Sequence, residues 1–193
     1  MLALVGVWLA AIASPGPDLF QIIRLGSKSR AAGVACAIGI MIGNAIWIIA
    51  SLVGLSALLQ AVPDILAVLQ IVGGAYLVWM GLGGATLPHR EVNTSGALRT
   101  GILTNLSNPK AVLFFGAVFA QFVRPGMGAG AMVAIALTLI LIGLAWFVFF
   151  ALAVRWLVRP IEKYGHIIDI VSGIIFVALG VWMLWEGFVG LSS

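Results

Sequence analysis

Charged side chains are scarce in this chain. Only 8% of its 193 residues are Asp, Glu, Lys or Arg, and 63% are hydrophobic. A soluble domain carries about 25% charged residues, so this chain has too little polar surface to cover a water-soluble fold. Ten basic and six acidic residues give a net charge of +4, and so few basic groups in so apolar a chain do not form a nucleic-acid-binding face. The composition therefore indicates a membrane protein.

Cysteine and histidine are almost absent as well. The one cysteine, Cys36, has no partner for an intrachain disulfide, a CxxC redox pair or a thiolate metal cluster. The two histidines, His89 and His166, fall in predicted loops. The apolar segments therefore offer no soft-metal site, and the sequence has no HExxH motif and no nucleophile–base set. We expect no metal, no cofactor and no enzymatic activity.

What the sequence does contain is long apolar runs. A helix needs about 20 apolar residues to cross the hydrocarbon core of a bilayer. Six stretches meet this length, and they lie near 1–25, 32–59, 64–86, 98–123, 128–155 and 167–190. The runs are too long for β-barrel strands and do not alternate as those strands do. The sequence thus predicts an all-α membrane protein with six transmembrane helices in one transporter domain, residues 1–193.

Basic residues predict the orientation of these helices. Eight Lys or Arg residues lie in or beside the loops after the first, third and fifth spans, whereas the other two loops contain only Arg124. Loops rich in Lys and Arg stay on the cytoplasmic side. Both termini are therefore predicted to be periplasmic or extracellular.

Two similarities within the chain indicate an internal repeat. The last span of each half carries two glycines seven residues apart, and the halves match at an offset of 99 residues: Gly74 and Gly81, Gly173 and Gly180. The first span of each half carries a proline followed by a charged residue: Pro17-Asp18 and Pro109-Lys110. Two three-span halves, roughly 1–96 and 97–193, must have opposite orientations because three is odd. This is the inverted-topology repeat common among secondary transporters.

The first span is interrupted by Ser14-Pro15-Gly16-Pro17-Asp18. Pro15 and Pro17 lack an N–H donor and clash with the preceding turn, so the helix must kink or break there. The carbonyl groups that lose their partners must be satisfied by protein, water or a ligand. Pro17 suits the first position of a new helix, whose positive end would face the gap.

Asn105 to Lys110 interrupts the fourth span in a similar way. Pro109 frees the carbonyl group of Asn105, and Asn108 is placed to cap the following helix. Lys110 lies well inside the span, about 16 Å along a helix from Arg99. Asp18 is also deep in its span, and a charge at such a depth costs roughly 2.5–3.5 kcal/mol on insertion scales. Such charges are expected to be paired or functional.

Two interpretations of Asp18 and Lys110 are open at this point. In the first, they form a buried ion pair that locks the first span to the fourth. In the second, Asp18 accepts a proton or cation, while Lys110 faces a substrate carboxylate or stabilises the broken helix. Asn44, in the middle of the second span, is a further candidate for lining the pathway. Gly39 and Gly43 before it form a GxxxG pair that is typical of close helix packing.

These motifs resemble the LysE/RhtB-type amino-acid exporter family, the lysine/threonine/homoserine exporter-like translocators. The motifs that carry the resemblance are spread over the whole chain: Ser14-Pro15-Gly16-Pro17-Asp18, Gly33 to Gly43-Asn44, Gly74-Ala75-Tyr76-Leu77 with Gly81, and Asn105 with Asn108-Pro109-Lys110. The resemblance implies six spans in two inverted repeats in the bacterial inner membrane, and export of amino acids or their derivatives driven by the proton gradient.

The substrate or ion pathway is predicted at the two interruptions. The resemblance places seven residues there: Pro15, Gly16, Pro17, Asp18, Asn108, Pro109 and Lys110. Asn44 and Asn105 join them as buried amides. The implied partners are an amino acid or derivative, protons and the lipid bilayer, and the glycine-lined faces would allow a homodimer. Two other functions remain open: an ion or metal exporter of similar architecture, and a non-transport membrane assembly protein.

Overall fold

The computed structural model describes residues 1–54, 58, 61–86, 93–115, 119, 122, 127–158 and 165–192. This part of the chain contains eight α-helices and no strands, which confirms the predicted all-α class. The helices are α1 (Leu2–Ala13), α2 (Pro17–Lys28), α3 (Arg30–Leu52), α4 (Pro63–Thr86), α5 (Thr94–Leu106), α6 (Pro109–Leu113), α7 (Ala129–Val158) and α8 (Gly165–Ser192).

Several helices are long and apolar enough to cross a membrane. Three do so alone: α3, α7 over Ala129–Val154, and α8 over Ile170–Leu191. Helices α1 and α2 qualify together as one span, bent by 52° at the break between them. In α4 the apolar part, Ala67–Leu82, is shorter. Length and composition thus support four of the six predicted spans, and the orientation of the termini stays a prediction.

The second predicted span, 32–59, is interrupted earlier than its hydropathy indicated. Helix α3 ends at Leu52, and the chain turns through Val53 and Gly54. Gly54 has a φ of 115°, in the left-handed region that glycine adopts without strain. Residues 55–57, 59 and 60 lie outside the described residues, as do 116–118, 120, 121 and 123 of the predicted fourth span.

Glycines bring α4 and α8 together at backbone distance. A Cβ atom on Gly74 would lie 2.7 Å from the carbonyl oxygen of Gly180, and one on Gly180 would lie 2.6 Å from that of Gly74. Gly81 and Gly173 form a second reciprocal pair, with distances of 2.6 and 2.8 Å. Any larger residue at these positions would push the two helices apart. The four glycines are those matched by the 99-residue offset.

Helices α3 and α5 also pack through glycine. A Cβ atom on Gly39 would collide with the carbonyl oxygen of Leu98, and one on Gly101 with that of Cys36. The close packing predicted from the GxxxG pair is therefore confirmed. One turn after Gly39, a Cβ atom on Gly43 would lie 2.6 Å from Oδ1 of Asn105. This contact fixes the position of the Asn105 amide beside the second interruption.

Aromatic rings fill the space beside the two interruptions. The ring of Trp8 lies 5.5 Å from that of Phe114 and 5.8 Å from that of Phe115, measured between centroids. Trp47 stacks on Phe115 at 6.4 Å. The indole N–H of Trp8 donates to the carbonyl oxygen of Leu139 in α7 at 3.1 Å. The cluster thus holds α1, α3 and α7 around the segment that follows α6.

Candidate functional site

The first helix break consists of Ser14, Pro15 and Gly16, where the prolines predicted it. Helix α1 ends at Ala13, and Ser14 leaves the helix with φ −69° and ψ 141°. Its hydroxyl group donates to the carbonyl oxygen of Ala11 at 2.9 Å, which satisfies one of the groups that the break exposes. Gly16 is fully extended, and no side chain caps α2. The first break therefore leaves main-chain groups that need partners elsewhere.

The second break is shorter and carries its own cap. Helix α5 ends at Leu106, and α6 begins at Pro109. The Oδ1 atom of Asn108 accepts a hydrogen bond from the main-chain N–H of Lys110 at 3.0 Å. This is the cap that the sequence predicted for Asn108, and the proline at the first helical position fits beside it.

Two polar contacts join the breaks across the molecule. The Nζ atom of Lys110 donates to the carbonyl oxygen of Ser14 at 2.6 Å and to its hydroxyl oxygen at 3.2 Å. The Nδ2 atom of Asn105 donates to Oδ2 of Asp18 at 2.9 Å. In both contacts the donor lies beside the second break, and the acceptor lies in the first break or beside it. The first break is therefore completed by side chains from the other half of the chain.

Asp18 and Lys110 bind other residues rather than each other. Asp18 is only 5% exposed and pairs with Asn105, whereas Lys110 is half-buried and pairs with Ser14. The direct ion pair considered from the sequence is thus replaced by a hydrogen bond at each charge. A buried carboxylate needs such donors, because an isolated charge in an apolar medium is very costly.

A small cavity lies between the two breaks, with a volume of about 20 Å³. Its polar lining is formed by Asp18, Asn44, Asn108 and Lys110. A space of this size holds about one water molecule. Two buried atoms, Oδ1 of Asp18 and Nδ2 of Asn108, have no hydrogen-bond partner within the described residues. The cavity thus offers one acceptor and one donor to a small polar species.

A larger, open cavity of about 510 Å³ lies on another side of Lys110. Pockets of roughly 300–1,000 Å³ are typical of small-molecule sites. The described residues that line it come from the first break, the start of α2, α6 with the residue after it, and α8: Pro15, Gly16, Pro17, Pro109, Lys110, Leu113, Phe114, Leu179 and Trp182. Lys110 and Phe114 line both cavities. The open cavity and the small cavity beside Asp18 are therefore neighbours that share these two residues.

The structure brings all nine residues predicted for the pathway to this region. Five of them line the open cavity: Pro15, Gly16, Pro17, Pro109 and Lys110. Asp18, Asn44 and Asn108 line the small cavity, and Asn105 reaches it through its hydrogen bond to Asp18. Asn44 also donates to the carbonyl oxygen of Ile40 in its own helix at 3.2 Å. The role of these residues in transport stays a prediction.

Sequence reasoning missed several members of the site. Ser14 was part of the motif but received no role, although a hydroxyl beside freed carbonyl groups is a signal for local capping. Phe114, Leu179 and Trp182 look in the sequence like ordinary apolar residues of a span. No sequence signal marks these three, because their position depends on how α6 and α8 meet.

Within the described part of the chain, no group of three or more His, Cys, Asp or Glu side chains is placed to hold a metal ion. The polar side chains that line the small cavity or bond across the breaks are one carboxylate, one ammonium, one hydroxyl and three amides. Such a set can bind a zwitterion, a proton or water.

Known proteins resemble this chain along most of its length. Residues 9–187 match the family described as LysE type translocator. The chain is 33% identical to the threonine efflux protein of Escherichia coli strain K12 over 193 residues, covering 92% of this chain and 94% of that protein. It is 28% identical to the leucine efflux protein of Klebsiella pneumoniae over 181 residues, covering 84% of each. No solved structure matches it.

Proposed function

This chain belongs to the LysE type translocator family, and from that membership we propose that it exports amino acids or their derivatives across the bacterial inner membrane. We further propose that the proton gradient drives the export. Relatives named as efflux proteins for threonine and for leucine support the substrate class. The observation that carries the proposal is the pair of helix breaks, joined through Asp18 and Lys110 beside two cavities.

The proposed architecture has six spans in two inverted halves, roughly 1–96 and 97–193, with both termini periplasmic. The α4–α8 contact supports it. Adding 99 to Gly74 gives Gly173, and subtracting 99 from Gly180 gives Gly81, so the offset converts one contacting pair into the other. A two-fold axis between inverted repeats has this effect. In this arrangement the two breaks come from equivalent first spans.

The chemistry of the site suits a zwitterion. The ammonium group of Lys110 can hold a carboxylate, and the carboxylate of Asp18 can hold an ammonium group or a proton. Lys110 and Phe114 line both the open cavity and the small cavity beside Asp18. In the proposed transport cycle, a substrate passes from the open cavity to Asp18 when Lys110 leaves Ser14.

Proton coupling would act through the same groups. A proton on Asp18 removes the negative charge beside the small cavity that Lys110 also lines. The loss of this charge weakens the electrostatic hold on the Lys110 ammonium group. In the proposed mechanism, this change in electrostatic attraction couples proton binding at Asp18 to the position of the Lys110 ammonium group.

Transport by purified protein in liposomes tests this function. With an imposed proton gradient, at least one radiolabelled amino acid from a broad panel should accumulate. Asp18→Asn should stop this accumulation, because an amide side chain cannot take up and release a proton as a carboxyl group does. Asp64→Asn is the matched control, because Asp64 is an exposed acid in the first turn of α4. Its transport should stay near that of the wild type.

The result that would overturn the proposal is a folded, monodisperse wild-type protein that moves no amino acid under a proton gradient. Equal activity of the Asp18→Asn and wild-type proteins would leave export standing and remove Asp18 from the mechanism.

A further inference from the structure

The open cavity has two chemically different walls. One wall consists of the proline and glycine residues of the breaks together with Lys110. The other consists of large apolar side chains: Leu113, Phe114, Leu179 and Trp182. Among the described residues that line the cavity, Lys110 alone carries a charge. A ligand with one anionic group and one apolar body is therefore complementary to the described lining of this cavity.

Lys110 has bonding capacity left for that anionic group. An ammonium group has three N–H donors, and two of them bind the carbonyl and hydroxyl oxygens of Ser14. The third can donate to a carboxylate in the cavity as a charge-assisted hydrogen bond. A Cβ atom on Gly16 would lie 3.2 Å from Nζ. The absence of a side chain at Gly16 therefore keeps the ammonium group accessible from this side.

The apolar wall discriminates between amino-acid side chains. A second ammonium group placed against it would be desolvated without an acidic partner and would be repelled by Lys110. A hydroxyl group there loses its hydrogen bonds to water, at a cost of about 1–3 kcal/mol. A branched aliphatic side chain instead gains from burial against Trp182 and Leu179. The α-ammonium group differs from a side-chain cation, because it stays beside the substrate's own carboxylate.

We propose that the open cavity selects neutral amino acids with apolar side chains of the leucine type. The carboxylate binds Lys110, and the side chain lies against Phe114, Leu179 and Trp182. This inference rests on the proposed export function and names the substrate class of the same site. Threonine should bind about tenfold more weakly than leucine, and lysine at least about a hundredfold more weakly.

Equilibrium binding of radiolabelled leucine to the purified full-length protein in detergent tests the selection separately from transport. Unlabelled leucine, threonine, lysine and 3-methylbutylamine serve as competitors, the last being leucine without its carboxylate. Leucine should displace the label at the lowest concentration. The amine should fail to displace it, because it cannot bind Lys110 through a carboxylate.

Variants of two tryptophans in α8 locate the apolar wall. Trp182→Ala should weaken leucine binding roughly tenfold, since a large apolar contact is lost. Threonine binding should change less, so the preference for leucine should shrink. Trp185→Ala is the matched control, because Trp185 is also an exposed tryptophan of α8 but does not line the cavity. It should retain the wild-type preference.

Several outcomes would overturn the inference. They are equal competition by threonine or lysine, competition by the amine as strong as that of leucine, and an unchanged preference in Trp182→Ala. A preference that disappears in vesicles when phosphatidylglycerol is added to phosphatidylcholine would assign the third donor of Lys110 to a lipid headgroup instead. Leucine binding without transport would overturn the export function and leave the selectivity standing. Transport with no preference among amino acids would overturn the selectivity and leave the export function standing.

Discussion

The two helix breaks differ in how they satisfy their main-chain groups. The first break spans three residues, has no side-chain cap on the following helix, and places two acceptors in the interior, Ser14 and Asp18. The second spans two residues and is capped by Asn108 from within. The side-chain donors on either side of the second break, Asn105 and Lys110, bind acceptors in or beside the first break.

The two breaks, which the proposed repeat makes equivalent, thus satisfy their main-chain groups in different ways. The second break keeps its geometry with its own side chain, so it can serve as a fixed support. The first break depends on contacts from the other half, so loss of these contacts frees it. The asymmetry thus predicts that the first break changes conformation more readily than the second.

Lys110→Met should produce the largest difference between the two breaks in amide exchange. The substitution leaves the carbonyl oxygen of Ser14 without its donor, at a cost of about 1–3 kcal/mol. Hydrogen–deuterium exchange should rise roughly tenfold or more in peptides that cover residues 14–20, whereas peptides over 107–112 should change little. Lys110→Arg, which keeps a cationic donor, is the control. Equal increases at both breaks would contradict the asymmetry.

Asn105→Leu should have the next largest effect. Asp18 loses the donor to its Oδ2 atom, and an unsatisfied buried acceptor costs about 1–3 kcal/mol. The measurement is a double-mutant cycle with Asp18→Leu, read by the free energy of unfolding in detergent. Residues in contact show coupling energies of roughly 0.5–3 kcal/mol. The same cycle with Asp64→Asn should show no coupling, and coupling near zero with Asp18→Leu would count against the contact.

Asn108→Ala should have the smallest effect, and this effect should appear at the second break and not at the first. Removal of a helix cap costs about 0.5–2 kcal/mol, so amide exchange should rise in peptides over 107–112 more than in those over 14–20. Asn108→Ser retains a capping oxygen and should restore most of the protection. Asn93→Ala removes the cap of α5 at an exposed helix end and should alter neither break. A larger rise in amide exchange at the first break than at the second would contradict the role of Asn108 as the cap of the second break.

Much of the fold followed from local rules. The breaks lie where Pro15, Pro17 and Pro109 remove main-chain donors, and Asn108 caps α6 as its position before a proline predicted. Helix α3 packs closely against α5 at the GxxxG glycine Gly39, because glycine has no side chain that would keep the two helices apart. These features depend on a few neighbouring residues, so the sequence alone was sufficient.

The partners of the charged residues could not be predicted in the same way. Asp18 and Asn105 are 87 residues apart, and Lys110 and Ser14 are 96 apart. Which donor meets which acceptor depends on the rotation of α2 against α5 and α6. The opposite charges of Asp18 and Lys110 suggested a direct ion pair between them. The close packing of Gly43 on Asn105 instead places the Asn105 amide beside the Asp18 carboxylate. The residues of α8 that line the open cavity likewise depend on packing.

The reciprocal glycine contacts between α4 and α8 have a mechanical consequence. Helices slide past one another when layers of side chains between them can repack. At Gly74 and Gly180, and again at Gly81 and Gly173, main chain meets main chain directly. We therefore expect the two helices, held together at two points along their length, to move as one rigid unit. In the proposed transport cycle, the changes of shape would then occur in the broken helices around this unit.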